Sequence, residues 1–331
     1  MDWSKGFSAS CYMTIVDPVS WRDIRRVEIE GGSVSRSISG LRQSADITCT
    51  DFDPDREQWV RVYLDAAQED DVARVALFTG LASVPERKTD GSRTEYPLAC
   101  YSVLKPAEDI LLERGWYAMA EQRAGDVIST LLSVLQAPVT VEEGSPRLIR
   151  SIIAEDGETN LSMTEKILTA IGWRLRIEGD GSIEVCPADS EPRAVFGDGY
   201  DVIEPQLSMK KDWFACPNVY RAISGDRAAV ARDDSEDSML STAARGREIW
   251  MEDRDCQLSD SEGLEQYAER RLAEEQAFAR SVRYRRRYDP AVTAGDLVRL
   301  HYPGQGLQAD HTVVSQSIML GLGASVDEEV Q

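Results

Sequence analysis

Only two histidines occur in the 331 residues, His301 and His311, and both fall in the stretch "HYPGQGLQADH". With Asp310 they are the nearest approach to a set of two imidazoles and a carboxylate. The spacing matches no established ligand pattern, and histidines on a strand surface are the commoner outcome. Asp51, Asp53 and Asp55 in "DFDPD" open like a calcium-binding loop, but Arg56 stands where Gly must turn the chain and Val62 where a bidentate Glu belongs. That segment reads as an acidic turn before a strand. No Ser lies in a G-x-S-x-G elbow, and no glycine-rich phosphate loop is present. Carboxylates are abundant, yet no two stand out as an acid/base pair, so no catalytic, cofactor-binding or metal-ligating residue is assigned and no enzymatic activity is expected.

The one basic cluster is "RYRRRYDP", Arg283 to Pro290. As a strand it sends Arg283, Arg285 and Arg287 to one side and Tyr284, Arg286 and Tyr288 to the other. A nucleic-acid contact is one use for such a face. The chain as a whole has 37 Lys and Arg against 58 Asp and Glu, a net charge of −21. A protein that grips a polyanion needs a basic footprint, so pairing with carboxylates of this protein or a neighbour is the favoured role. Hydrophobic residues make up 42%, enough for sizeable cores. No apolar run is long enough to span a bilayer, and "MDWSKGFSAS" lacks a signal-peptide core. The six cysteines are far apart without a C-x-x-C pair, which predicts free thiols.

The elements that would position these residues change character along the chain. Residues 1–105 alternate as strands: "RRVEIEGG", "ADITCTDF", "WVRVYL" with Val60, Val62 and Leu64 on one face, then "ARVALFTGLASV" with Gly80 as a bulge. "KTDGS" marks a hairpin, and Pro97 suggests an edge in the returning strand. Residues 106–190 read as a small α/β module. Val127, Ile128, Leu131, Leu132 and Leu135 have helical spacing before Pro138. A second helix takes Ser162 and Glu165 as a capping box and stops at Gly172 before a hairpin across "EGDG". Residues 191–331 return to strands, interrupted by one long helix at about 260–282 with a capping box at Ser259 and Glu262. Leu264, Tyr267, Ala268, Leu272, Phe278, Ala279 and Val282 share its apolar arc. Arg271 and Glu275 fall in the same arc and pair along the helix, which places this stretch at a subunit boundary or a wet rim. An internal echo links the two β regions: "VRVYL" at Val60 is followed by "VALFTGL" at Val75, and "VRLHY" at Val298 by "VVSQSIML" at Val313.

This order of parts, together with "IGWRLRIEGDGSIEV", "PNVYRAISG", "STAARGREIW", "EQYAERRLAEEQ" and "AGDLVRLHY", resembles the baseplate-hub and tail-tip hub proteins of tailed bacteriophages and related contractile particles. The resemblance covers nearly the whole chain and none of its motifs is a catalytic fingerprint. It implies an α+β, mainly β fold, with two tail-tube-like β-barrel domains flanking the module. It also implies a homotrimeric ring that meets the tail tube or a distal tail protein on one face and a central spike or tip protein on the other. Such a ring encloses a channel for the tape-measure protein and for DNA that passes without specific binding, and it implies a virion protein assembled in the host cytoplasm. The net charge adds the expectation of an acidic channel wall. The rival reading is a carbohydrate-binding or adhesion protein, with Trp21, Trp59 and Trp116 as sugar platforms.

Overall fold

The computed structural model describes the chain apart from residues 198–206, 212, 215, 255, 257–262, 278–279 and 322 and the side chains of residues 211, 280 and 305. The alternating N-terminal segments form β1 (Ser8–Val16), β2 (Asp23–Ser37), β3 (Gln43–Cys49), β4 (Gln58–Gln68), β5 (Asp71–Ser83), β6 (Lys88–Asp90) and β7 (Arg93–Ser102). Antiparallel pairings run β1–β4–β5–β7–β3–β2 and return to β1, a closed circuit of strands around an apolar core that includes Val60, Val62, Leu64, Leu77 and Phe78. The register shift in the β4–β5 pair falls between Val62 and Tyr63, so Gly80 is not the bulge that the sequence suggested. A side chain at Gly80 would stand 2.2 Å from the Tyr101 carbonyl oxygen; the residue is there for close backbone approach. Pro97 pairs with Thr48 of β3, and on its other side the partner of β7 changes from β6 at Glu95 to β5 at Ala99. The missing N–H falls in that gap, which reconciles Pro97 with a strand inside the sheet.

The module follows as α1 (Lys105–Asp109), β8 (Tyr117–Ala118), α2 (Ala124–Leu132), β9 (Val139–Val141), β10 (Ile152–Ile153), α3 (Asn160–Ile171), β11 (Trp173–Ile177) and β12 (Ile183–Pro187). Val127, Ile128, Leu131 and Leu132 are buried as their spacing requires. Helix α3 starts earlier than the sequence reading placed it. Its N-cap is Thr159, whose hydroxyl and that of Ser162 bond reciprocally to each other's backbone N–H groups, so Glu165 is not part of the cap. Gly172, at φ 67°, ends the helix in the left-handed conformation that Gly adopts without strain.

The C-terminal part contains β13 (Ala194–Gly197), β14 (Ser208–Lys211), β15 (Val219–Ser224), β16 (Arg227–Arg232), α4 (Thr242–Arg245), β17 (Trp250–Asp253), α5 (Leu264–Ala277), β18 (Arg280–Arg287), β19 (Leu297–Tyr302), β20 (Leu307–Met319) and β21 (Ser325–Val330). The helix expected over 260–282 is the shorter α5. Val282 lies in β18, where the alternation of Val282, Tyr284 and Arg286 toward the interior decides for a strand. The capping residues Ser259 and Glu262, together with Phe278 and Ala279, lie outside the described residues. Strands β15–β17 form a separate sheet whose buried Tyr220, Ala222, Ala229 and Ala231 pack on Tyr267, Ala268 and Leu272 of α5. This unit is inserted between β14 and β18 and has its own core.

With the insertion set aside, the echo in the sequence becomes a repeat of topology. The antiparallel path β4–β5–β7–β3–β2 recurs as β19–β20–β21–β18–β14, in the same chain order. The second copy departs at β13, which lies parallel to β19, whereas β1 is antiparallel to β4. Residues Ser33–Ser37 of β2 pair with Ser315–Met319 of β20 and merge both copies into one 13-stranded sheet.

Candidate functional site

None of the residues with chemical promise comes together as a reactive set. His311 lies opposite Val298 and His301 opposite Gln308, an odd number of positions along the pair, so strand alternation turns them to opposite faces. Asp310 is held by Arg299 at 2.6 Å, and burial lowers the pKa of His311. Asp51 pairs with Arg25, and Asp53 with Arg56 at 2.9 Å. Among the described residues no group of three His, Cys, Asp or Glu is placed to hold a metal ion. All six cysteines are free thiols, five of them buried. No described helix is long and apolar enough to cross a membrane. Trp21 and Trp59 pack on one another with ring centroids 5.4 Å apart, and Trp116 packs against the module core.

What the fold does bring together is the helix–hairpin unit and both β regions. The tip of the β11–β12 hairpin lies on β4 and β5. The Thr79 hydroxyl donates to the Gly179 carbonyl at 2.8 Å, and Arg61 and the Trp21 indole N–H donate to the Asp180 carbonyl at 3.0 and 3.1 Å. A side chain at Gly179 would stand 1.8 Å from the Ala76 carbonyl oxygen, so only Gly allows this contact. Because the tip covers them, Trp59 and Arg61 are buried although they lie on the face of β4 opposite its core residues. At the other end, the Arg174 guanidinium donates to Asp296 at 2.9 Å and to Asp189 at 2.8 Å, and Asp296 is fully buried. Burial works to raise the Asp189 pKa, but the hydrogen bond from Arg193 and the charges of Arg174 and Arg193 lower it. From β3's side, Arg42 clasps both oxygens of Glu165 in α3 at 2.7 Å. The hairpin is therefore a strut, wedged into one β region and ion-paired to the other.

The Arg-rich strand turns to the protein's own carboxylates. Arg283 pairs with Glu329 at 2.8 Å and Arg285 with Asp327 at 2.7 Å on the outer face. On the inner face Arg286 meets Glu328 at 2.6 Å with both fully buried, and Glu328 also accepts from the Tyr284 hydroxyl and the Gln316 amide. Burial, with the Glu328 charge beside it, raises the Tyr284 pKa well above its usual value. Arg271 and Glu275 do pair, at 3.1 Å, and each keeps about a fifth of its side chain exposed. Arg270 of α5 reaches the Thr169 carbonyl, which ties the inserted unit to the module.

Where the copies merge, the outer face carries Ser35 and Ser37 of β2, Ser44 of β3 and Ser315 and Ser317 of β20, all in register. They floor a groove of about 1260 Å³ whose lining has four arginines against three carboxylates, and it is not acidic.

No protein-family model matches the chain, and no curated protein matches it in sequence. Solved structures do match its fold. The tail protein from Neisseria meningitidis MC58 aligns over 97% of this chain and 96% of its own, with a TM-score of 0.71 and 15% identity. The 43 kDa tail protein of prophage MuSo2 from Shewanella oneidensis covers 98% of each chain at 0.69 and 13%. The c3393 protein of E. coli, described as a type VI secretion component similar to the T4 bacteriophage tail proteins gp27 and gp5, covers 92% of this chain and 73% of its own at 0.53 and 9%. The chain thus shares the fold of phage tail proteins from end to end.

Proposed function

We propose that the chain is a structural virion protein, the hub of a phage-type baseplate or tail tip. The observation that carries this reading is the likeness to tail proteins over nearly the full length of both partners, with repeat, module and insertion all included. The c3393 protein, described as a type VI secretion component similar to T4 bacteriophage tail proteins, supports a place in a tail-type particle. In this reading residues 1–105 and 191–331 are tail-tube-like barrel domains, the second interrupted by the inserted unit, and residues 106–190 are the module that braces them. Three copies form a ring that joins the tail tube to the spike or tip protein and encloses the path of the tape-measure protein and DNA. The protein's work is mechanical: a braced, charge-paired wall with no reactive group in use. The serine groove is the proposed channel face, whose small hydroxyls and internally paired charges, within a chain of net charge −21, offer a polyanion little to bind.

The test is a reconstruction of the assembled tail. Three copies at the hub position, with the serine floor toward the lumen, is the expected result. Six copies or one at that position, or an outward-facing floor, contradicts the reading.

A further inference from the structure

The module carries an outer ladder in which two backbone segments, 117–123 and 147–153, run antiparallel. Tyr117 lies opposite Ile153, Ala118 opposite Ile152 and, past an irregular turn, Arg123 opposite Arg147, all in one register. Ala118, Leu148 and Ile152 point into the module core and are buried. The alternate positions point away from it: Ile153 is 64% exposed, Tyr117 58%, Met119 52% and Ile149 37%. Arg123 and Arg147 are exposed as well. One end of the ladder is therefore apolar and the other cationic. Beside the arginines lies a recess of about 460 Å³, floored by the facing pair Trp173 and Pro187 and walled by Pro146, Glu143 and the two arginines.

Both ends of this ladder call for an occupant. Apolar side chains clustered on an exposed face mark a contact surface. Like charges directly opposite one another destabilise a strand pair. Elsewhere this chain sets Arg283 opposite Glu329, Arg285 opposite Asp327, Arg299 opposite Asp310 and Arg221 opposite Glu252. With 58 carboxylates in the sequence it had acids to spare, yet it places an arginine opposite Arg123.

We propose that the ladder docks a short segment of another protein of the particle, apolar at one end and acidic at the other. This rests on the reading of the chain as a tail-particle protein and adds a contact outside the tube wall. A carboxylate set between the two guanidiniums turns their repulsion into charge-assisted hydrogen bonds. Apolar residues of the segment cover Tyr117 and Ile153, and the order of the two ends fixes the direction in which it lies. The recess has room for one of its side chains against Trp173. A long polyanion or an anionic bilayer would meet the field of a chain with net charge −21, whereas a short segment meets only the charges within about one Debye length, roughly 8 Å at physiological salt.

The test uses the full chain in assembled, purified tails. A photo-crosslinking amino acid replaces Met119 in one preparation and Ile153 in another, and the joined peptides are sequenced by mass spectrometry. The expected product links both positions to one segment of a different tail protein, with apolar residues followed or preceded by Asp or Glu. A synthetic peptide of that segment then binds the isolated full-length chain, more weakly as salt is raised. Binding is lost when the peptide's acids are exchanged for lysine, and in Arg123→Glu and Tyr117→Ser variants whose melting temperatures match that of the unaltered chain. The salt dependence needs no substitution and decides the question where a variant does not fold. Crosslinks only to a second copy of this chain, crosslinks to a segment without carboxylates, binding insensitive to salt, or no crosslink at all in tails that contain the chain each overturn the docking and leave the tail reading standing. Tails that do not contain the chain overturn both.

Discussion

The two copies of the repeat solve one topology with different interiors. The first closes its circuit and fills it with Val60, Val62, Leu64, Leu77 and Phe78, all fully buried. The second has a smaller apolar cluster around Val292, Val298, Leu300 and Val313, and beside it the sealed group of Arg286, Glu328, Tyr284 and Gln316. Apolar packing is tolerant of volume-conserving exchanges of side chains, because any well-filled arrangement buries similar area. A buried ion pair is not, because its desolvation is offset only when every partner is in place. The first copy is thus held by volume and the second by matching, and the second is the one that carries the insertion.

The sharpest way to break that contrast is Glu328→Ala. It strands the buried Arg286 cation and removes the acceptor of Tyr284, with an expected loss of about 3–5 kcal/mol in urea unfolding. The double variant Arg286→Met/Glu328→Leu removes both charges and is expected to recover most of that loss; if it does not, matching is not what holds the second copy. In the first copy Leu64→Ala is expected to cost roughly 2–5 kcal/mol by leaving a cavity, with no partner change able to rescue it except refilling the volume. Gly80→Ala drives a methyl into the Tyr101 carbonyl and is expected to cost about 1–3 kcal/mol, read as a lowered melting temperature.

The smallest effect separates the copies by pH. The first has no histidine, whereas His311 in β20 has a pKa lowered by burial, which the charge of Asp310 and a bond to the Gln331 backbone only partly oppose. As pH falls through the free imidazole value of about 6.5, the unfolded chain takes up the proton before the folded one does. Stability should therefore decline as pH drops below that value, until the folded imidazole protonates too. His311→Gln should remove this part of the slope, and a slope that survives the substitution assigns it to another group.

Much of this architecture was legible in the residues. Alternation located the strands, the spacing of Val127 to Leu132 located α2, Gly172 located the turn into the hairpin, and the Val60/Val298 echo pointed to the repeat. The sides of the Arg-rich strand followed from period, and net charge favoured carboxylate partners in this protein or a neighbour; the fold supplies Glu329 and Asp327 of the same chain. These are local properties: a period of two, a helical stripe or a left-handed glycine needs only near neighbours in the chain to be read. The limits were also physical. Glu165 looked like a cap because a cap needs only a local donor, and only the approach of Arg42 from the turn between β2 and β3 shows where the carboxylate goes. Gly80 and Gly179 looked like turn or bulge residues, since the atoms that exclude a side chain there, the Tyr101 and Ala76 carbonyls, are distant in sequence. The joint of β2 with β20, the strut function of the hairpin and the serine floor across separate strands exist only once the chain is folded. The sequence by itself determined most of the elements, the sign of the charge and the repetition. The tertiary structure decided which edges meet, because strand pairing is carried by backbone groups that every residue type presents alike.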